Sequence, residues 1–162
     1  MTYQVYTARM AELPSVLAIE EECFDENSIW SHAGFEASIA MEDILFLVAR
    51  TEDEDVAGFV VATCDRDSEY CELLNVAVRS KDRNLGIGTK LLESLFTQAH
   101  GRGCNFAKAK LSESAVAACC LLRKMGMTVE TTLKADFIRG DGEYDDCYWF
   151  TGFTNPSDRQ QD

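Results

Sequence analysis

Asn75-Val76-Ala77-Val78, followed by Arg83-Asn84-Leu85-Gly86-Ile87-Gly88-Thr89-Lys90, reads as a buried strand, a short polar loop, two glycines one residue apart and the start of an apolar helix. A glycine-bearing turn that opens a helix points several backbone N–H groups at one place. Those groups have no acceptor inside the helix, and the helix dipole adds positive potential there. The stretch therefore predicts an anion site of the kind that holds phosphate. By itself Gly-x-Gly is a weak motif. A dinucleotide fingerprint would need a third glycine where Leu91 stands, and a P-loop's Gly-Lys-Ser/Thr is absent. A tight strand-to-helix turn without a ligand remains open at this point.

Working outward, the helix carries Leu85, Leu91-Leu92, Leu95-Phe96 and Ala99, and Gly101-Arg102-Gly103 stops it. Asn105 to Leu111 then reads as a parallel strand that completes a β-α-β crossover. Before the turn, Ile44 to Ala49, Val56 to Cys64 and Glu69 to Val78 are apolar strands with short acidic connections, an antiparallel meander. Earlier still, Thr2 to Ala8 alternates like an edge strand. Leu13, Val16, Leu17 and Ile19-Glu20 through Cys23-Phe24 have helical spacing, with Pro14 in the first turn. Asp25 to Ser31 is loop-like and His32 to Met41 a short helix. After the crossover come a helix over Ser112 to Met125, capped by Ser112 or Ser114 and stopped by Gly126, and strands over Met127 to Ile138 and Glu143 to Phe153 around Asp141-Gly142. The expected order is β-α-α-β-β-β-α-β-α-β-β in one mixed sheet, an α/β (α+β) class. One domain is expected over residues 1–153, with a polar frayed tail over 154–162.

Composition narrows the function. The 162 residues are 46% apolar and 27% charged, the balance of a globular protein with one core. The longest apolar run, Ala115 to Leu122, is far short of the roughly 20 residues a membrane span needs. No secretory signal opens the chain, which points to the cytoplasm. Seven cysteines form no C-x-x-C pair, so neither a disulfide framework nor a metal site is expected. A net charge of −13 disfavours nucleic acid and would steer cationic amines inward, or serves solubility alone.

Arg83-x-x-Gly86-x-Gly88 after Val76-Ala77-Val78 resembles motif A of the GNAT superfamily of N-acetyltransferases, and the element order is that of the superfamily. Gly126-Met127 sits where its members have Gly-Phe. Trp30-Ser31 with Phe35, the run Leu73 to Val78, and Asp141-Gly142 with Asp145-Asp146 are similar to the ribosomal-protein N-terminal alanine acetyltransferases. The resemblance extends from about Ile19 to Phe153. It implies a GNAT fold, a mixed and mostly antiparallel sheet with helices on both faces. It implies acetyl-CoA as cofactor, the backbone of Val76, Ala77 and Val78 pairing with the pantetheine arm, and the turn of Asn84, Leu85, Gly86, Ile87, Gly88 and Thr89 on the pyrophosphate, with Arg83 and Lys90 adding charge. A splay between the strands of Val76 and Ala109 would admit the thioester to direct attack by an amine.

The sequence departs from that subfamily where its catalysis is expected. Lys110 replaces the glutamate base, Ser112 an arginine, Ala115 a cofactor-binding asparagine, and Leu122 the tyrosine acid. Glu72 stands at the spacing other GNAT enzymes use for their base, and is otherwise a solvent-side residue of a half-exposed strand. Cys120 (with Cys119) and Tyr144 (with Tyr148) are candidate acids, against simple packing. Trp30 either staples the second helix or lines an acceptor pocket, and His32 faces that pocket or solvent. The resemblance thus implies an acetyl-CoA-dependent N-acetyltransferase acting on a primary amine, first a peptide or protein N-terminus. A small-amine or polyamine enzyme, a non-catalytic acyl-CoA-binding module and a homodimer stay open.

Overall fold

The computed structural model describes residues 2–24 and 29–159. Seven strands form one sheet in the order β1-β2-β3-β4-β5-β7-β6. The strands are β1 (Tyr3–Thr7), β2 (Ile44–Thr51), β3 (Val56–Asp65), β4 (Tyr70–Val78), β5 (Phe106–Ser112), β6 (Thr128–Ile138) and β7 (Tyr144–Phe153). Among the described residues only β4 and β5 pair in parallel; every other neighbouring pair is antiparallel. That single parallel pair follows from the connection between the two strands, which is a helix and not a turn. The helices are α1 (Leu13–Cys23), α2 (His32–Ala40), α3 (Ile87–Gly101), α4 (Val116–Lys124) and the short α5 (Pro156–Arg159).

The sheet is covered on both faces, which is why β2 and β3 are apolar at almost every position. On one face α3 buries Leu91, Leu92, Leu95, Phe96 and Ala99 against Leu47, Val60 and Leu73, and α4 adds Cys119 and Leu122. Each leucine so buried contributes about 1.5–3 kcal/mol. On the other face α1 and α2 bring Val16, Ile19 and Phe35 onto Phe46, Val48 and Phe59. Both helix ends behave as their glycines require. Gly103 has φ +97°, and the N–H groups of Gly103 and Cys104 return to His100 and Ala99 at 3.0 and 2.9 Å. Gly126 ends α4 in the same way, with Met127 donating to the Leu122 carbonyl at 3.0 Å.

Two expectations change. The helix read from Ser112 starts at Val116, because Ser112 stays in the sheet opposite Cys147 and the Ser114 hydroxyl is bonded to Asp145 instead of capping. Thr154, assigned to a frayed tail, is fully buried, its hydroxyl donating to the Cys104 carbonyl at 2.7 Å, and α5 follows it. Residues 25–28 of the first loop and 160–162 of the tail lie outside the described residues.

Candidate active site

The site begins where two strands part. β4 and β5 are in register from Tyr70↔Phe106 to Leu73↔Ala109 and no further. Leu74 is then an extra residue against β3, since Leu73 pairs with Ala62 and Asn75 with Val61. Such a bulge bends its strand and increases the local twist. β5 keeps pairing with β7 through Lys110, Leu111 and Ser112. Among the described residues no strand faces the β5-side edge of Asn75 to Val78. The polarity of that edge can be read from its neighbours. Arg79 N–H turns to the Ala57 carbonyl of β3 at 2.8 Å, while the Val78 carbonyl receives the Cys23 thiol at 3.4 Å and Arg83 Nε at 3.1 Å. Val78 therefore presents its backbone to the gap, and the two-residue alternation of a strand does the same for Val76.

The glycine turn closes one end of this gap. Asn84 and Gly86 take φ +64° and +83°, and Gly86 caps α3. The first helical bond runs from Lys90 N–H to the Gly86 carbonyl at 3.0 Å, so the N–H groups of Ile87, Gly88 and Thr89 precede the ladder and face outward. The missing side chain of Gly88 matters for a different reason. A Cβ there would lie 2.9 Å from Leu121 Cδ2, so a side chain at 88 would push aside this leucine of α4, the helix that forms the opposite wall. A cleft of about 430 Å³ results, lined by the Val76–Val78 edge, the turn, Ala115 to Ala118 and Lys124. Asp82 also borders it. Burial alone would raise that carboxyl, but hydrogen bonds from Arg79 and from Tyr3 Oη (2.9 Å for the latter) outweigh it and hold it below its ordinary value. An open strand edge for an amide-bearing arm, a donor-lined turn for a diphosphate and cations at Arg83 and Lys124 fit coenzyme A.

A second cavity, of about 310 Å³, continues from the first and shares Phe24, Val76, Ala115 and Ala118 with it. Its wall is mostly apolar, and its ionisable groups come from separate elements: Glu20 from α1, Lys110 from β5, Asp136 from β6 and Cys147 from β7. Glu20 has no solvent exposure. Its Oε2 accepts from Asn75 Nδ2 at 2.8 Å and its Oε1 from the Trp30 N–H at 3.2 Å. Burial raises its carboxyl, against those two bonds. Lys110 Nζ lies 2.5 Å from Asp136 Oδ2, and that carboxylate holds the lysine above its ordinary value. Burial pushes the Cys147 thiol up.

Of the residues expected from sequence, Val76, Ala77, Val78, Arg83, Asn84, Gly86, Ile87, Gly88 and Thr89 line the first cleft. Leu85 points to solvent, 59% exposed. Lys90 turns away, its ammonium donating to the Tyr3 carbonyl at 2.7 Å, because position 90 faces β1 one turn into the helix. Glu72 precedes the bulge, lies 3.7 Å from Lys108 across the strand pair and borders neither cavity. Tyr144 is at the far end of β7 opposite Ile138, and Cys120 is on the exposed side of α4; neither borders a cavity. His32 is exposed and 3.5 Å from Glu36. Trp30 packs its ring 5.2 Å from Phe35 on the second helix and also lines the second cavity. Glu20, Asp136 and Lys124 were missed. A signal for Glu20 was present, a carboxylate in the apolar stripe of α1.

A family model described as Acetyltransferase (GNAT) family matches residues 13–127. No curated protein matches the chain in sequence. Among solved structures, the ribosomal-protein-S18-alanine N-acetyltransferase from Escherichia coli superposes with a TM-score of 0.81 at 22% identity, over 95% of both chains. The ribosomal-protein-alanine N-acetyltransferase from Brucella melitensis gives 0.79 at 23% identity, over 93% of this chain and 99% of that one. A GNAT superfamily phosphinothricin acetyltransferase from Sinorhizobium meliloti, solved with AcCoA, gives 0.81 at 22% identity, over 94% and 89%. At these identities the likeness establishes the fold.

Proposed function

The chain belongs to the acetyltransferase (GNAT) family and uses acetyl-CoA as acyl donor, and on that premise we propose that it acetylates a primary amine, foremost a peptide or protein N-terminus. One observation carries the proposal: the open edge of β4, flanked by the glycine turn, leads directly into a second cavity bordered by carboxylates. The Trp30-Ser31 and Phe35 match to the ribosomal-protein alanine acetyltransferases, and two such enzymes among the structural neighbours, favour a peptide acceptor.

Bound acetyl-CoA supplies an acyl thioester for direct attack by the amine. The Val76–Val78 edge would hold the pantetheine amides, and Ile87, Gly88 and Thr89 N–H groups would hold the diphosphate, with Arg83 and Lys124 lowering its charge. The Val76 N–H, on the gap side where the cavities join, is the donor at hand for a developing oxyanion. Phe24 borders both cavities and Trp30 the second, so apolar rings would shield the acyl group, and polar interactions gain strength where water is excluded. A non-catalytic acyl-CoA-binding module is the second reading, favoured by Lys110 and by Leu122, which is fully buried in the core and offers no proton.

CoA release from acetyl-CoA, followed with short peptides bearing free or formylated N-termini and with spermidine, separates these readings. Turnover with free N-termini alone is expected. Turnover with spermidine alone overturns the peptide assignment. Tight acetyl-CoA binding without release from any acceptor overturns the enzymatic one.

A further inference from the structure

The second cavity carries a charge imbalance. Two carboxylates, Glu20 and Asp136, face one ammonium, Lys110, and Lys110 is committed to Asp136 at 2.5 Å. Among the described residues no cation pairs with Glu20: its two oxygens accept only from the Asn75 amide and the Trp30 N–H. A buried carboxylate without a counter-charge is costly, and burial has raised it accordingly. Most of the remaining wall is apolar, with Phe24, Trp30, Leu73, Leu74, Leu111 and Phe137 its large members.

The Asp136 side of the cavity is held at a backbone cost. Between Leu133↔Cys147 and Phe137↔Asp145, three residues of β6 oppose Asp146 alone. At the middle of that bulge Ala135 takes φ +49°, a conformation that costs a side-chain-bearing residue about 1–2 kcal/mol. The Asp146 carboxylate secures it, accepting from Ala135 N–H at 2.9 Å and from Lys134 Nζ at 3.1 Å. The Asp146 backbone is bonded in turn to Glu113, N–H to Oε1 at 2.9 Å and carbonyl to N–H at 2.8 Å. Strain maintained by surrounding bonds is a mark of a functional segment.

We propose that this cavity selects an acceptor carrying one ammonium on an apolar body, with Glu20 as the charge-selecting residue and Asp136, positioned by Lys110, as its partner. The inference rests on the N-acetyltransferase reading and narrows its substrate: an N-terminus with an apolar first residue, or a hydrophobic monoamine, balances the cavity's single excess negative charge. A polyamine brings more positive charge than the site can offset and a chain that the apolar wall does not solvate.

Binding tests it independently of turnover. Phenethylammonium and its neutral counterpart 2-phenylethanol are titrated into the CoA-loaded protein by calorimetry, with Glu20→Gln and Asp136→Asn beside wild type. Wild type should bind the amine at least about tenfold more tightly than the alcohol. Each variant should lose most of that preference while alcohol and CoA affinities hold. Should Glu20→Gln fail to fold, Asp136→Asn alone decides. A wild type that does not discriminate, or variants that weaken amine and alcohol equally, overturns the proposal. Failure of the enzymatic reading would appear elsewhere, as absent CoA release with the amine preference intact.

Discussion

Replacing Asn75 by leucine is the most informative single change, because the bond it removes is the shorter of the two that hold the Glu20 carboxylate. Leucine keeps the γ-branch and deletes the Nδ2 donor, leaving Glu20 with the Trp30 N–H. A hydrogen bond to a charged group contributes about 1.5–3 kcal/mol, so roughly 2 kcal/mol of stability should go. For 162 residues the unfolding entropy near Tm is about 0.34 kcal/mol/K, and the expected drop in Tm is about 6 °C. The pH dependence gives the sharper result. Glu20 is raised in the folded state from its ordinary 4.5. A raised carboxyl contributes its stability fully below the unfolded value and loses it as pH rises through the folded value. Asn75→Leu raises the folded value further. The deficit of the variant should therefore be small near pH 4.5 and grow until pH passes the variant's folded value. Calorimetric melts of both proteins from pH 4.5 to 8 measure it. A deficit that stays constant with pH would refute the assignment of a buried, ionised and cation-free Glu20.

Three further outcomes are expected. Gly58→Ala puts a Cβ 2.8 Å from the Ala77 carbonyl and 3.3 Å from Leu91 Cδ1, so β4 must shift; urea melts should show a loss of about 1–3 kcal/mol, and calorimetry a weaker affinity for acetyl-CoA. Lys124→Met should weaken acetyl-CoA about fivefold, roughly 1 kcal/mol for an exposed cation near phosphate, whereas Lys90→Met should leave that affinity unchanged because its ammonium is bonded to Tyr3. Asp82 is held below its ordinary 3.8 despite burial, so its stabilisation is present above that value and is lost as pH falls through the folded one. Asp82→Asn should cost about 2 kcal/mol at pH 7, and melts of the pair should converge only as pH falls below 3.8 through the folded value.

Local patterns made most of the cofactor side legible. Gly86 announces a turn whatever surrounds it, since it needs a positive φ, whereas the contact of Gly88 with Leu121 exists only once α4 is packed. The apolar runs of β2 and β3 announce a sheet covered on both faces. Glu72 illustrates the limit. Its spacing from Ala77 suggested a base, but the extra residue at Leu74 changes what each following residue faces, and a bulge leaves no mark in the alternation of one strand. Lys90 fails similarly: charge next to a turn suggested phosphate, and one helical step carried its ammonium to β1 instead.

Sequence alone determined the order of strands and helices along the chain, the β-α-β crossover and the glycine turn that opens α3, because each depends on residues within a few positions of one another. Tertiary structure decided which ionisable groups meet. Glu20, Lys110 and Asp136 come from α1, β5 and β6, and they converge only because a bulge at Leu74 parts β4 from β5 and a bulge around Ala135 is held by Asp146 across β7. Those bulges are settled by pairing between distant strands, and the charge balance of the cavity exists only once that pairing is made.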